Sequence, residues 1–362
     1  MAGGSVARRI TARDVAERVG CSVATVSLVI NGKADGRVTP ETQQQIRVAI
    51  ADLGYRLNTT ASALARGESN AIAFVSPDPT NPFFSMVLEG LTEALDERFA
   101  LTLLMPNHGS DYDVSTLQRA LAGDYAGLII ASPGRHLMTG FVPTCPTLLL
   151  DAGGDLGDFA SIDLDVDAAA RDLAAHLVGL GHRRVGYVGV SRDKASLQHR
   201  RQSLAEGLMG HGGSLVPDDL VLPEMTIAAA QDGFTGVWAT WDAAGVTAVV
   251  CGDELYAYGV LNACRDLGVK VPERLSVVGF NDLPYSGLLD PPLTTVNLSA
   301  RALGAEAARA LQRYISTGRR PRTRTLPAFL VVRGSTAAAA SREVLIGPGR
   351  RERGRPAPLA DR

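Results

Sequence analysis

From residue 71 onward, short apolar runs alternate with longer amphipathic stretches, and that alternation leaves few folds open. AIAFVSP, LTLLMPN, AGLIIASP and TLLLDAG read as buried strands, separated by helical segments such as FFSMVLEGLTEALDERF. RRVGYVGV, TAVVCGD and LSVVGFND repeat the pattern after residue 183. Such alternation predicts parallel sheets with helices on both faces. Two successive sets of strands predict two similar lobes with a cleft between them. Ligands of such sheets bind outside the carboxyl ends of the strands. Those ends carry Asp78, Asp151, Asp253 and Asn281, a polar set suited to recognising hydroxyls.

The first sixty residues have a different texture and predict three short helices. Thr11 caps the first, with Asp14 three residues later completing a capping-box pair. Val15, Ala16 and Val19 form its inner face, and Gly20 ends it. Ser22 caps the second, whose buried stripe is Val26, Val29 and Ile30. Thr39-Pro40 opens the third, lined by Ile46, Ala49, Ile50 and Leu53 and stopped at Gly54. Two short helices across a glycine turn outline a helix-turn-helix. Val23 and Ala24 then pose a question, because short apolar side chains do not belong on a solvated helix tip. A recognition helix touches base edges with its N-terminal residues, and small apolar groups there can meet the thymine methyl. Thr25, Ser27 and Asn31 are then placed to reach phosphates or base edges.

Charge adds little to this. Residues 1–68 hold nine Arg/Lys against six Asp/Glu, and the whole chain has a formal charge of −2, so any nucleic-acid signal is local. At 362 residues and 46% hydrophobic, the chain predicts two or three domains with sizeable cores. The N-terminus lacks a signal-peptide pattern and no apolar run reaches membrane-spanning length, so a cytoplasmic protein without membrane contact is expected. Cys21, Cys145, Cys251 and Cys264 are scattered, which predicts free thiols in a reducing compartment. The six histidines form no metal-ligand spacing, and His182 in GLGHRRV is expected to shape a helix-to-strand turn. There is no G-x-S-x-G, P-loop or G-x-G-x-x-G fingerprint, so neither a catalytic site, a metal nor a cofactor is expected.

TARDVAERVGCSVATVSLVINGK followed by RVTPETQQQIRVAIADLGYRLN resembles the DNA-binding headpiece of the LacI/GalR transcriptional repressors. In that family the next stretch becomes a hinge helix that enters the minor groove and wedges a leucine between base pairs. NTTASALARG, residues 58 to 67, occupies that position, and Leu64 aligns with the wedge, a kinking role in physical terms. The resemblance implies DNA contacts from Thr11, Ser22, Val23, Ala24, Thr25, Ser27, Leu28, Asn31, Tyr55 and Leu64. Two positions depart from the pattern. Many members carry Arg or His at Leu28 and Arg at Ser62, and Leu28 lacks the fork with which Arg grips guanine.

The body resembles the effector domain of the same family, and through it the periplasmic sugar-binding proteins. DPTNPFF, RRQSLAEGL, CGDELYAYGVLNACRDLGVKVPERLSVVGFND, DPPLTTVNLSARALGAEAARAL and LVVRGST carry that resemblance. It implies ligand contacts at Asp78, Phe83, Phe84, Arg200, Met225, Asp253 and Asn281. Asn281 stands where the family usually has Asp, and Met225 where several members stack an aromatic. The expected fold is therefore an all-α helix-turn-helix headpiece (9–57), a hinge helix or linker (58–69) and a two-lobed α/β effector-binding and dimerisation domain (70–337). Residues 338–362, rich in Arg, Pro and Gly, are expected to be disordered. The expected function is a DNA-binding transcriptional regulator, a repressor, controlled by a small ligand between the lobes. Its expected partners are pseudo-palindromic double-stranded operator DNA, a carbohydrate-like effector and a second copy of itself, as dimer or dimer of dimers. A free sugar-binding transport protein and an enzyme on a doubly wound sheet are the alternatives; the headpiece argues against the first, the missing fingerprints against the second.

Overall fold

The computed structural model describes residues 10–30, 32–55, 69–78, 80–106, 114–153, 156–157, 159–190 and 195–340. The chain divides into two compact units, one ending at Asn70 and one beginning at Ala71. Most of the stretch read as a hinge, and the tail from residue 341, lie outside the described residues.

Among the described residues, the first unit holds α1 (Ala12–Val19), α2 (Val23–Ile30) and α3 (Pro40–Leu53). Side chains fix where each begins. Thr11 Oγ1 accepts the Asp14 amide at 3.4 Å while the Asp14 carboxylate accepts the Thr11 amide at 2.7 Å. Ser22 Oγ accepts the Thr25 amide at 3.1 Å, and Thr39 Oγ1 the Thr42 amide at 3.3 Å ahead of Pro40. Gly20 (φ +75°) and Gly54 (φ +64°) end α1 and α3 in the left-handed conformation that side chains disfavour. Val15, Ala16, Val26, Val29, Ala34, Ile46 and Ala49 form the core. Val19, Ile30, Ile50 and Leu53, expected inside, are half-buried against it. So small a unit has too little volume to cover every apolar residue.

The second unit contains two sheets. The first is built from β1 (Ala71–Val75), β2 (Ala100–Leu104), β3 (Gly127–Ala131), β4 (Thr147–Leu150), β5 (Ala160–Asp165) and β12 (Arg324–Pro327). Their order is β12-β5-β4-β3-β1-β2, and all neighbours are parallel. The second holds β6 (Arg184–Val190), β7 (Ser214–Leu215), β8 (Leu220–Leu222), β9 (Ala248–Cys251), β10 (Ser276–Asn281), β11 (Thr294–Asn297) and β13 (Phe329–Val331). Its order is β13-β11-β10-β9-β6-β7, with β8 also on β6, and only the β11–β13 edge pair is antiparallel. The central strands are apolar and buried from end to end, as parallel strands covered on both faces require.

The helices are α4 (Pro82–Ala94), α5 (Val114–Ala122), α6 (Arg135–Met138), α7 (Val166–Gly179), α8 (Ala195–Gly210), α9 (Ile227–Ala243), α10 (Glu254–Leu267) and α11 (Ala300–Thr317). The chain crosses between sheets three times: through α7, through α11, and directly from β12 to β13. One apolar core therefore includes Ile72, Ile129 and Leu148 of the first sheet together with Val185, Val250 and Val278 of the second. His182, at the turn between α7 and β6, pins this region. Its ring nitrogens meet Thr247 Oγ1 at 2.8 Å and the Ala337 carbonyl at 3.0 Å, and the ring is buried. Burial lowers its pKa to about 4.

The pairing of α4 with α11 is the tightest in the first lobe. A Cβ on Gly90 would lie 1.9 Å from the Arg301 carbonyl oxygen, and one on Gly304 would lie 1.9 Å from that of Val87. Neither oxygen can rotate away, because both belong to helix backbone. Gly304→Ala must therefore push the helices apart, and should cost about 1–3 kcal/mol or more. Urea denaturation measures it; an unchanged midpoint would mean that the two helices do not pack this closely.

Candidate functional site

Two regions hold the residues that the sequence singled out. In the first unit, Ser22, Val23, Ala24 and Ser27 stand exposed on α2, with Val23 46% exposed despite its apolar side chain. Thr25 and Leu28 are half-buried beside the Val26 and Val29 stripe. The Ser22 and Thr25 hydroxyls lie 2.8 Å apart, so the cap also orients the first outward hydroxyl of the helix. Thr11 is exposed and its hydroxyl donates to Asp14 at 2.6 Å. Tyr55 is half-buried and packs against the three-helix core. Asn31 and Leu64 lie outside the described residues. One face of α2 thus holds the unit together, and its other face and tip present small groups outward.

In the second unit, all seven residues expected to touch ligand line one cavity of about 430 Å³: Asp78, Phe83, Phe84, Arg200, Met225, Asp253 and Asn281. The cavity draws on both lobes, and carboxyl ends of strands supply much of it. Asp78 follows β1, Ser132 follows β3, Asp151 follows β4, and Asn281 closes β10. Three of these have positive φ without being glycine: Ser132 at +47°, Asp151 at +46° and Asn281 at +123°. Backbone in such regions costs about 1–3 kcal/mol per residue and persists where surrounding contacts impose it.

Those contacts begin with two helix caps that meet across the cleft. Asn81 caps α4 in the first lobe, its Oδ1 accepting the Phe83 amide at 3.0 Å. Asp253 caps α10 in the second, its Oδ1 accepting the Leu255 amide at 2.9 Å. The other ends of the two caps join: Asn81 Nδ2 donates to Asp253 Oδ2 at 2.9 Å, and Asn281 Nδ2 donates to the same oxygen at 2.8 Å. Met225 Sδ lies 3.4 Å from Asn81 Nδ2. A second interlobe link runs from Arg200 Nη2 on α8 to Asp151 Oδ2 at 3.4 Å. Arg200 Nη1 donates to the Gly252 carbonyl at 3.0 Å and to Asn281 Oδ1 at 3.4 Å. Burial raises the Asp151 pKa, with the Arg200 charge acting against it. Phe83 and Phe84 meet edge to face, centroids 5.2 Å apart, and add an apolar wall.

Sequence reasoning missed Asn81, Ser132, Leu137, Ser196 and Leu197, and left Asp151 out of the ligand-contact set although it stood among the strand ends. Asn81 had a signal, since Asn before Pro is a helix start. Ser132 had none, because its place depends on a local backbone kink. Among the described residues, no group of three or more His, Cys, Asp and Glu side chains is arranged to hold a metal ion.

Glu254, next to Asp253, holds the cleft wall from behind. It is fully buried and accepts from the amides of Asp282 (2.9 Å) and Leu283 (2.5 Å) and from the hydroxyls of Ser286 (2.6 Å) and Thr295 (2.5 Å). Desolvation outweighs these donors and raises its pKa from 4.5 to about 7. The folded state thus binds this proton more tightly than the unfolded chain. Its stabilising effect is complete below pH 4.5 and is lost as pH rises through about 7. The loss should be on the order of 3 kcal/mol across that window. Denaturation at pH 5 and pH 7.5 should show Glu254→Gln lacking that part of the slope; identical slopes would mean that the carboxyl titrates normally.

Comparison with known proteins matches both regions. Residues 11–58 match the lacI family of bacterial regulatory proteins, and residues 174–336 match the periplasmic binding protein-like domain. The HTH-type transcriptional regulator MalR of Streptomyces coelicolor is 31% identical over 359 residues, covering 95% of this chain and 98% of that protein. The maltose regulon regulatory protein MalI of Escherichia coli is 29% identical, over 90% of this chain and 99% of its own. Among solved structures, the lac repressor dimer bound to operator and the anti-inducer ONPF shares the fold, with a TM-score of 0.77 at 23% identity, over 91% of this chain and 100% of its own. The complex of the transcriptional regulator CelR with cellobiose has a TM-score of 0.64 at 26% identity, over 90% and 100%. With a headpiece, a two-lobed body and a relative of this identity matched over almost its whole length, the chain belongs to the LacI family of bacterial transcriptional regulators.

Proposed function

We propose that the protein is a repressor whose affinity for operator DNA is set by a small carbohydrate-like ligand held between the lobes. The observation that carries this reading is the convergence of Asp78, Phe83, Phe84, Arg200, Met225, Asp253 and Asn281 on one cavity built from both lobes. Polar groups beside an aromatic wall suit a sugar, whose hydroxyls need partners and whose C–H faces need apolar cover. The relatives point the same way: MalR is a transcriptional regulator, MalI regulates the maltose regulon, and CelR is a transcriptional regulator seen in complex with cellobiose. No catalytic role is assigned, and the cytoplasm is the compartment that suits DNA binding. Among the described residues, no helix is long and apolar enough to cross a membrane.

DNA reading falls to α2. Val23 and Ala24 at the exposed tip, with Leu28 behind them, present an apolar surface for thymine methyls, and Ser22, Thr25 and Ser27 supply hydroxyls for phosphates. Thr11, Asn31, Tyr55 and the wedge Leu64 complete the proposed DNA-contacting set. Two copies are needed to read a two-fold operator. Tyr285 and Leu288, 62% and 82% exposed on the turn after β10, offer the second lobe an apolar surface for that pairing.

Selection of binding sites from random duplexes tests α2. Leu28→Arg should shift the preferred base pair toward G·C at one position of each half-site, and an unchanged motif would remove Leu28 from base reading. Operator affinity with and without effector tests the cleft. Phe84→Ala should leave ligand-free operator binding within about twofold of wild type and raise the effector concentration for half-response by at least tenfold, or about 1.4 kcal/mol. A folded variant with an unaltered effector response would place the ligand elsewhere.

A further inference from the structure

We infer that the cleft discriminates by charge: it takes a neutral, hydroxyl-rich sugar and rejects the phosphate ester or carboxylic acid of the same sugar. This rests on the carbohydrate reading above and narrows it. Among the described residues, the cavity lining carries three carboxyl side chains, Asp78, Asp151 and Asp253, against one guanidinium, Arg200, and one imidazole, His136. That guanidinium is already engaged by the protein. Nη1 faces two acceptors, the Gly252 carbonyl and Asn281 Oδ1; Nη2 is on Asp151; and Nε is sealed from solvent. At most one N–H, the second on Nη2, is left for a ligand. One N–H serves a hydroxyl oxygen, whereas a carboxylate or phosphate is held well by a forked pair.

The remaining polar groups also favour a donor-rich guest. Asp78 lines the cavity; its Oδ1 takes the amide and hydroxyl of Thr80, at 2.9 and 2.6 Å, and its Oδ2 has no partner among the described residues. Asp151 accepts from Ser132 at 3.1 Å as well as from Arg200. Asn281 spends its amide on Asp253 and its carbonyl on Arg200. Sugar hydroxyls donate to such acceptors, and the ring C–H faces lie against Phe83, Phe84, Leu137, Leu197 and Met225. An added anion would sit among these carboxyl groups with no uncommitted guanidinium or ammonium group among the described lining residues, and a buried unpaired charge is strongly disfavoured.

Titration calorimetry on the full-length protein tests this with matched probes: glucose against glucose 6-phosphate and gluconate, and maltose and cellobiose against their phosphorylated and oxidised forms. The expected result is that the neutral member of a binding pair exceeds its anionic counterpart by at least 100-fold. Equal or tighter binding of an anionic member overturns the charge discrimination while leaving the carbohydrate reading intact. Binding of none contradicts the carbohydrate reading, and this inference falls with it. Asp151→Ala removes the oxygen that holds Arg200 Nη2 and should move the neutral-to-anionic ratio at least tenfold toward the anion. Asp78→Asn, which keeps the oxygen that Thr80 uses, should move it the same way and serves if the first variant does not fold. A folded variant with the wild-type ratio overturns the proposed cause.

Discussion

The cleft depends on a carboxylate shared by two lobes. Asp253 Oδ2 accepts amide protons from Asn81 on one side and Asn281 on the other, at 2.9 and 2.8 Å. Its Oδ1 meanwhile caps α10. The same atoms therefore start a helix, join the lobes and floor the binding cavity. A ligand entering here meets Asp253, Asn81, Asn281, Asp151 and Arg200 already joined to one another, so it sits against the hydrogen bonds that hold the lobes in this arrangement. Such a ligand has different affinities for different lobe arrangements, the physical requirement for a conformational response. Asp151 and Arg200 form the second link, an ion pair that joins the lobes at the wall of the cavity.

The headpiece obeys a simpler constraint. Three helices of this length bury few side chains, so their starts and stops must come from capping residues, each worth about 1 kcal/mol. Thr11, Ser22 and Thr39 supply the starts, and Gly20 and Gly54 the stops. With Val26 and Val29 spent on the core, the tip of α2 contributes no packing of its own. Val23 and Ala24 are thereby left exposed.

Much of this was legible in the chain, for identifiable reasons. Buried strands announce themselves by apolar runs, and the residue ending each strand follows from them; Asp78, Asp151, Asp253 and Asn281 all reach the cavity. The resemblance supplied Phe83, Phe84, Arg200 and Met225. Less visible were features set by tertiary geometry. The placing of β12 at the edge of the first sheet and β13 at that of the second follows from chain crossings that no periodicity records. Ser132 and Asp151 have positive φ just after the ends of β3 and β4, and nothing in ASPG or LDAG signals it. Asn81 showed its cap in sequence but not its partner, because Asp253 lies 172 residues away. Glu254 reads as an ordinary first-turn acid until its buried amide and hydroxyl donors are seen.

The central claim is that ligand in the cleft and DNA on the headpiece act on one equilibrium. Thermodynamic linkage makes this directly measurable, because each must alter the other's affinity by the same factor, typically about 5- to 150-fold. Calorimetric titration of the sugar effector into free protein, and into protein saturated with its selected operator, gives one side of the cycle. Operator affinity with and without saturating effector gives the other. The account predicts two equal ratios that differ from one. An effector affinity unchanged by operator would contradict it, and would make the cleft and the headpiece independent sites on one chain.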